Sequence, residues 1–197
     1  MILEGIVTTI GPGDAINIAP MGPRVNASLT RLILRPFQSS RTYGNLLALP
    51  EGVFHVTDDV LMLARAAIGR LDPSPRLSPA KKVRGWIIAA ACKAFEFQIV
   101  HADASGERAE LTADVVETAR FRDFVGFNRA KHAVVEAAIL ATRVALLPRE
   151  EIQTQFDRLA GLVEKTGGEE ERSAFALLGE YVRESFASKG LPEESYT

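Results

Sequence analysis

The sequence predicts a mainly β protein with α-helical additions: a small β-barrel of about six strands followed by a C-terminal helical segment. Up to about residue 125, β-branched and aromatic runs alternate with Gly, Pro and Asn turn signals, which is typical of short strands. From Phe127 onward the chain is rich in Ala, Leu, Val and Glu at helical spacing. We therefore expect a barrel domain at residues 1–125 and a helical segment at 126–197 packed on it.

A β-hairpin opens the predicted barrel. Residues 6–10 form a β-branched run, residues 11–14 are a strong turn signal, and residues 15–19 resume an extended pattern. The prolines of residues 20–23 cannot donate ladder hydrogen bonds. We expect this PMGP segment to interrupt the second strand, as a loop or sheet edge whose backbone groups are free.

Two further strands enclose a short helix. Residues 31–36 predict a third strand, and residues 53–57 predict a fourth. Between them, a helix is expected over residues 43–48, ended by Pro50 and Gly52.

A second helix is predicted from apolar residues at helical spacing between positions 60 and 68, with Thr57 or Asp58 as its N-cap. An exposed Pro- and Ser-rich loop over residues 73–79 follows. Residues 86–101 and 109–121 then form a long hairpin. The Ala-rich start of this hairpin leaves a helical opening around residues 87–91 as an alternative.

Three helices complete the chain. Asn128 is a good N-cap for a helix over residues 129–146, which Pro148 stops. Residues 150–165 and 169–188 each carry one apolar stripe, which predicts two amphipathic helices.

Composition excludes several classes of function. A net charge of −2 and a pI near 6.0 provide no basic face for nucleic acid or for an anionic membrane. The N-terminus lacks the pattern of a signal peptide, and no apolar stretch reaches the length of a membrane span, so we expect a cytoplasmic protein. Cys92, the single cysteine, lies in an apolar run and is expected to be a buried structural thiol.

Familiar catalytic spacings are missing from the sequence. It contains neither the Gly-x-Ser-x-Gly elbow of hydrolases nor a Gly-x-x-x-x-Gly-Lys phosphate loop. His132 and Glu136 share one helical face, but two ligands do not make a metal site, so no metal is expected.

One segment has the features of a phosphate-binding turn. Ser39, Ser40, Arg41 and Thr42 precede or open a predicted helix, whose unpaired N–H groups and positive dipole end attract phosphate. The alternative is that one serine is merely an N-cap and Arg41 a solvated charge. The PMGP segment, with an adaptable Met and a small Gly, could approach a flat ligand, or could simply end an edge strand.

Six motifs follow one another along nearly the whole chain: NIAPMGP at 17–23, LRPF at 34–37, SRTYGNL at 40–46, GVFHV at 52–56, VTDDV at 56–60 and GFNRAK at 126–131. Together they resemble the flavin-binding split barrels, in which flavin reductases carry a similar Lys-Asp-Thr-x-x-Asn-Ile step. The resemblance is closer to the FMN-binding split-barrel proteins grouped as domain of unknown function family four-four-seven.

This resemblance implies a homodimer with FMN between the subunits. By matching position, the ring would lie against Asn17, Ala19, Pro20, Met21 and Gly22. The phosphate would be held by Ser39, Ser40, Arg41 and Thr42, reached from the strand end by Arg35, with the turn braced by Asn45.

One residue step differs from the reductases, and a second helix start is a further candidate site. Arg41 or Arg35 would meet the phosphate charge where the reductases have a lysine, an exchange that suits the paired hydrogen bonds of Arg with phosphate. Asn128, Arg129 and Lys131 open the first C-terminal helix; they either lie near the flavin or its substrate, or are a cap and two solvated cations.

Three functions follow from these observations. The first is an FMN-dependent oxidoreductase that takes hydride from NAD(P)H or another two-electron donor; the family's association with pterin-dependent one-carbon metabolism suggests a pterin-type partner. The second is a flavin-binding protein for storage, delivery or assembly, without catalysis. The third keeps the barrel without flavin and uses the C-terminal helices to bind a partner.

Overall fold

The computed structural model describes residues 1–189. Contacts divide the chain into two compact units: Met1–Asp58 with Pro73–Val125, and Asp59–Asp72 with the chain from Gly126 onward. The helical segment at 59–72 therefore groups with the C-terminal helices. The sequence-based division at residue 125 stays a prediction.

The first unit is built on one curled antiparallel sheet of seven strands in the order β2-β1-β5-β8-β9-β4-β3. Its strands are β1 (Gly5–Ile10), β2 (Ile16–Met21), β3 (Arg24–Val25), β4 (Arg31–Leu34), β5 (Glu51–Val56), β8 (Lys93–Asp103) and β9 (Glu110–Arg120). A separate two-stranded sheet pairs β6 (Leu77–Pro79) with β7 (Trp86–Ile88). The predicted barrel with C-terminal helices is confirmed, with more strands than the six expected.

The sheet curls until its far edge meets the start of the chain. The N–H of Val25 in β3 donates to the carbonyl of Met1 at 2.9 Å, and the N–H of Leu3 donates to the carbonyl of Pro23 at 3.1 Å. A bridge between Ile2 and Arg24 completes the contact. The barrel is thus closed on this side by a few bonds rather than by a full strand ladder.

Apolar side chains fill the interior of this curled sheet. The buried cluster includes Phe54 from β5 and Phe97 from β8, both fully enclosed. Helix α1 (Arg41–Ala48) packs Leu46 and Tyr43 against the same cluster. One end of the barrel is therefore covered by α1, since burial of these side chains removes apolar area from water.

The PMGP segment does not interrupt β2 as expected. Pro20 pairs with Ile6, and Met21 pairs with Gly5, so the strand continues into that segment. An edge position tolerates proline, because an N–H on the outer side of the sheet has no ladder partner. The short β3, which pairs with β4, was not predicted.

The segment predicted as one strand over 86–101 is two strands separated by a turn. After β7, the N–H of Ala91 bonds to the carbonyl of Ile88 at 3.1 Å, and the N–H of Cys92 bonds to the carbonyl of Val56 at 2.9 Å. This turn moves the chain from the small sheet to the large one. The helical alternative at 87–91 is wrong, and part of the expected loop at 73–79 is strand β6.

Cys92 is buried, as predicted, and the carboxylate near it is firmly paired. Asp58 binds the guanidinium of Arg122 through both oxygens, and its Oδ2 also accepts from the N–H of Val125 at 2.9 Å. The hydrogen bond from Arg122 holds the pKa of Asp58 far below its usual range. Asp58 is therefore not the cap of the next helix.

The second unit contains four helices: α2 (Val60–Ala67), α3 (Arg129–Ala141), α4 (Arg149–Thr166) and α5 (Glu169–Lys189). Helix α2 is capped by Asp59, whose Oδ1 accepts from the N–H of Met62 at 2.8 Å. A buried ion pair of 2.7 Å between Lys131 and Glu171 joins α3 to α5. No helix in the described part of the chain is both long and apolar enough to cross a membrane.

Helix α3 ends at Ala141, earlier than the predicted position 146. The N–H of Arg143 bonds to the carbonyl of Leu140 at 2.9 Å, and the hydroxyl of Thr142 bonds to the carbonyl of Ile139 at 2.7 Å. Both contacts tighten the chain into turns. The exposed side chains that follow provide no packing to sustain the helix.

Candidate functional site

The first turn of α1 is arranged as an anion-binding helix start. Ser40 caps the helix, with its Oγ accepting from the N–H of Tyr43 at 3.2 Å. Among the described residues, the N–H groups of Arg41 and Thr42 donate to no protein acceptor. The side chains of Ser39 and Arg41 are exposed. Two free N–H groups, a hydroxyl and a guanidinium thus lie at the positive end of the helix dipole.

A buried network of hydrogen bonds joins this helix start to strand β2. The amide of Asn17 donates to Thr42 Oγ1 at 3.0 Å and to Thr9 Oγ1 at 3.3 Å. The amide of Asn45 donates to the same Thr9 oxygen at 3.0 Å. Because Thr42 Oγ1 accepts from Asn17, its own proton remains available to a ligand.

Thr9 was not identified from the sequence, although it holds this network together. It lies in the β-branched run of β1, where threonine fits strand propensity alone. Its side chain is 1% exposed, and a buried hydroxyl requires polar partners. Every position of β1 is buried, so the strand has no alternation of inward and outward residues that could have identified it.

The edge strand β2 offers backbone rather than side-chain contacts. Ala19 and Met21 are half-buried and pack against the apolar interior of the barrel. Pro20 has no N–H, and its backbone nitrogen points away from β1. Along an antiparallel strand, every second residue directs its backbone groups to the same side. The N–H and C=O of Ile18, two residues before Pro20, therefore also point outward from the sheet. A flat ligand along this edge would meet the outward backbone groups and the ring of Pro20.

Gly22 ends this edge beside the carboxylate of Glu4. A Cβ placed at Gly22 would lie 2.7 Å from the carboxylate oxygens of Glu4. A larger side chain would displace Glu4 or shift the backbone. The small residue therefore keeps the end of β2 accessible.

Arg35 follows β4 and lies beside a cavity of about 410 Å³ that is lined largely by the β8–β9 turn. Its Nε is 3.2 Å from Glu110 Oε1 but makes no hydrogen bond, because the contact has poor geometry. Glu110 also approaches Arg24 at 3.4 Å. A buried donor without a hydrogen bond is rare, which leaves Arg35 able to bind an acceptor from a ligand.

The β8–β9 turn is tied to the loop that precedes α1. Gln38 donates from Nε2 to the carbonyls of Ala104 at 2.9 Å and Gly106 at 2.6 Å. The guanidinium of Arg108 lies over the ring of Phe37, at 3.9 Å from its centroid. Neither contact was predicted, since each joins residues distant in sequence.

Asn128 and Arg129 belong to the second unit. Asn128 Oδ1 accepts from the N–H groups of Ala130 at 2.8 Å and Lys131 at 3.1 Å, as the predicted cap requires. Its amide also donates to the carbonyl of Thr166 at 3.1 Å. The side chain of Asn128 is thus fully engaged within its own unit, whereas Arg129 is exposed.

His55 is buried in the first unit and has a structural role. The N–H of Ile88 donates to His55 Nε2 at 3.1 Å, so the ring proton lies on Nδ1 and is donated to the carbonyl of Ile6 at 3.2 Å. Burial lowers the pKa of His55 to about 4. A neutral imidazole with both nitrogens bonded has no free group for catalysis.

Comparison with known proteins adds the family. Residues 3–121 match the N-terminal domain of a protein family of unknown function, DUF447. Residues 128–180 match the second domain of the same family. No curated protein matches the chain.

Solved structures share the fold. An FMN-bound DUF447 protein from Methanosarcina mazei is 25% identical, with a TM-score of 0.77 over 91% of this chain and 94% of that one. The Pseudomonas fluorescens 2-nitrobenzoate 2-nitroreductase is 15% identical, with a TM-score of 0.52 over 59% of this chain and 64% of that one. A Streptomyces globisporus NADH:FAD oxidoreductase is 15% identical, with a TM-score of 0.51 over 60% and 75% of the two chains.

These matches confirm the resemblance inferred from the six motifs. The two family matches together span the barrel and most of the C-terminal helices, and the FMN-bound neighbour shares both parts. The chain is a member of the DUF447 family and has its split-barrel fold.

Proposed function

We propose that this protein is an FMN-dependent oxidoreductase that passes hydride through the flavin. FMN is its cofactor: six motifs predict it, and the family member that aligns over 91% of the chain holds FMN. The oxidoreductase activity is supported by the split-barrel neighbours, a nitroreductase and an NADH:FAD oxidoreductase. These neighbours also make NAD(P)H a reasonable electron donor.

The observation that carries the proposal is the hydrogen-bond network of Thr9, Asn17, Thr42 and Asn45. It fixes the edge of β2 against the first turn of α1. A mononucleotide flavin needs an anion site and a flat platform within one molecule's reach. The network joins the first turn of α1, the candidate anion site, to the edge of β2, the candidate platform.

The residues present fit FMN. The N–H groups of Arg41 and Thr42 donate to no protein acceptor among the described residues, and the buried Nε of Arg35 makes no hydrogen bond although it lies 3.2 Å from Glu110 Oε1. The residues that we propose to hold the phosphate are Arg35, Ser39, Ser40, Arg41 and Thr42. Those that we propose to form the ring platform and brace it are Asn17, Ala19, Pro20, Met21, Gly22 and Asn45.

FMN, when bound, supplies the capacity to accept and release hydride. The chain's own residues bind and orient it. Arg41 and the α1 dipole neutralise phosphate charge, and Thr42 donates its hydroxyl proton. The outward N–H of Ile18 is a hydrogen-bond donor at the platform, where such donors tune the electron affinity of a flavin ring.

Asn128 and Arg129 are retained as proposed contacts to flavin or substrate. The side chain of Asn128 already makes hydrogen bonds with backbone groups of Ala130, Lys131 and Thr166. Asn128 would therefore contribute as the cap of α3, whose N-terminus attracts anions. Arg129 is exposed, so its guanidinium can reach an anion. A cytoplasmic location likewise stays a prediction.

Flavin loading tests the proposed site. After incubation with FMN and removal of the excess, the protein should show flavin absorbance at about 450 nm. Arg41→Ala with Thr42→Val should weaken FMN binding at least about tenfold, because charged hydrogen bonds to phosphate are lost. Arg158→Ala, an exposed arginine of α4, is the matched control and should retain the flavin. Full retention by the double variant would refute the phosphate site.

A flavin-binding protein for storage or delivery is the second candidate function. It is favoured by the composition of the proposed site, where the polar side chains are amides, hydroxyls and guanidiniums. Hydride transfer through a flavin, however, demands few protein groups.

Anaerobic stopped-flow separates these two functions. We expect NADH or NADPH to bleach the bound flavin at a rate sufficient for turnover, with a reduced pterin tested as the donor suggested by the family's metabolic association. Bleaching by none of the three donors would leave the storage function as the better account.

A further inference from the structure

The end of the barrel away from α1 opens into two adjoining cavities in the first unit. Their volumes are about 530 and 510 Å³, and they share the lining residues Leu29, Lys93, Phe95 and Arg120. We call the two together the mouth cavity. Each volume falls in the range of small-molecule sites, about 300 to 1,000 Å³.

The floor of the mouth cavity is apolar. Phe95 belongs to the buried core, and Leu3, Leu29, Val56 and Val115 pack against that core as half-buried side chains. The floor is therefore a fixed surface, because its side chains are anchored in the packed interior. A flat apolar ligand would find a preformed surface there.

Two cations stand directly opposite each other at the entrance. Lys93 at the start of β8 pairs in register with Arg120 at the end of β9. Like charges at directly opposed positions of an antiparallel pair destabilise a sheet. Asp123 pairs with Arg120 and offsets part of this cost, and an anion beside Lys93 would offset the rest.

The neighbouring carboxylates are engaged with other cations. Arg120 is paired with Asp123, and Arg122 with Asp58. In the part of the chain that the structure describes, no carboxylate forms an ion pair with Lys93. The Lys93 ammonium is therefore available to an anion in the cavity.

Glu117, which also lines the cavity, lies on the other face of the sheet. It pairs in register with Glu96, and the Glu96 carboxylate accepts from the backbone N–H groups of Lys81 and Lys82 at 2.9 and 2.6 Å, away from the barrel interior. Directly opposed residues share a face. Glu117 therefore does not neutralise Lys93.

From this geometry we propose that the mouth cavity binds a small aromatic anion, with its ring on the Phe95 floor and its carboxylate or sulfonate at Lys93 and Arg120. The site is separate from the proposed phosphate end of the flavin site. The β8–β9 register places Lys93 and Arg120 at one end of the hairpin and Asp103 with Glu110, beside Arg35, at the other.

A matched pair of probes tests the proposal. The affinity of FMN-loaded protein for 2-naphthoate and for its neutral analogue 2-naphthamide is measured by equilibrium dialysis. Lys93→Gln should weaken naphthoate binding about tenfold, because a charged hydrogen bond is lost, and change naphthamide binding less than about twofold. Lys81→Gln, an exposed lysine outside the cavity, should change neither.

A second variant tests the apolar floor with little risk to the fold. Leu29 has a backbone φ of +54°, a conformation that asparagine tolerates better than leucine. Leu29→Asn should therefore fold, and it should weaken both probes by a similar factor. Equal binding of both probes by this variant and the parent would place the ligand elsewhere.

Three results would overturn the proposal: no naphthoate binding at millimolar concentration, binding that is indifferent to Lys93→Gln, or loss of the flavin absorbance as naphthoate binds. The last would place the probe in the flavin site. If the protein retains no FMN, the dialysis is run on the protein as purified, and the Lys93 comparison still decides the outcome independently of the flavin.

Discussion

At the scale of single residues, His55 shows how burial sets a protonation state. Its ring is fully enclosed, and both nitrogens are bonded to backbone groups, with Nε2 accepting from Ile88. A proton added to Nε2 would remove that acceptor and place a charge in the core. Burial for this reason lowers the pKa of His55 from its ordinary value of 6.5 to about 4.

We expect stability to fall as the medium is acidified from neutral pH. The unfolded chain protonates His55 near the ordinary histidine pKa of 6.5, whereas the folded chain resists until about 4. The contribution of His55 to the free energy of unfolding is therefore complete above the unfolded-chain pKa and declines as the pH falls towards the folded-chain pKa. Between pH 7 and pH 5 the free energy of unfolding should drop by about 2 kcal/mol from this residue.

Urea unfolding at the two pH values measures this drop. The comparison is with His101→Gln, which removes an exposed imidazole and should keep the same pH dependence. A free energy of unfolding that is unchanged between the two pH values would contradict the structural role of His55.

The same scale shows what sequence reasoning could find in the candidate site. Ser40 and Asn128 were assigned as caps because capping is decided by a few adjacent residues. Thr9 and Gln38 were missed because their partners lie far along the chain. Local chemistry was predictable at these positions, and partnership across the fold was not.

At the scale of elements, the loop before α1 and the β8–β9 turn form one connected unit through Gln38. Two backbone carbonyls of the turn, at Ala104 and Gly106, accept from one exposed amide. The base of the turn is also held by a bridge between Phe37 and Arg108 and by the N–H of Ala109, which donates to the carbonyl of Pro36 at 3.1 Å, so loss of the Gln38 bonds is expected to open only the tip of the turn.

Gln38→Ala should therefore raise the hydrogen-exchange rates of residues 103–107 about five- to tenfold, the equivalent of about 1 kcal/mol of lost hydrogen bonding. Gln98→Ala is the matched control: it removes an exposed amide bonded to Glu51 on a different strand, and the turn should keep its protection. Equal exchange rates in the two variants would show that the turn stays closed without the Gln38 hydrogen bonds.

Among the helices and strands, those defined by local signals were predicted, and those defined by distant partners were missed. The hairpin of β1 and β2, helix α1 and the three C-terminal helices followed from turn signals, caps and apolar spacing. Strand β3 was missed because its two residues are extended only by pairing with β4. The turn at 89–92 was missed because an apolar run alone does not reveal that the chain changes sheets.

At the scale of the whole molecule, we propose a symmetric homodimer, in keeping with the resemblance. Phe121, Phe124, Val125 and Phe127, close together in sequence, are exposed by 47%, 46%, 77% and 97%, and clustered exposed apolar side chains mark interaction sites. A two-fold partner would cover such residues.

Sedimentation equilibrium at micromolar concentration should report twice the chain mass of 21.4 kDa. Phe127→Ser should shift the population towards monomer, with circular dichroism confirming that the variant is folded. A monomer at that concentration in the parent protein would contradict the proposal, and so would an unchanged dimer affinity in the variant.

Pro20 has a consequence for how this protein avoids aggregation. An unprotected edge strand is a template on which another chain can build a further strand, and repetition of that step leads to fibres. At Pro20 the outward face of β2 lacks a donor, so an incoming strand cannot complete a continuous ladder there. The edge can remain open to a small molecule while being closed to polymer growth.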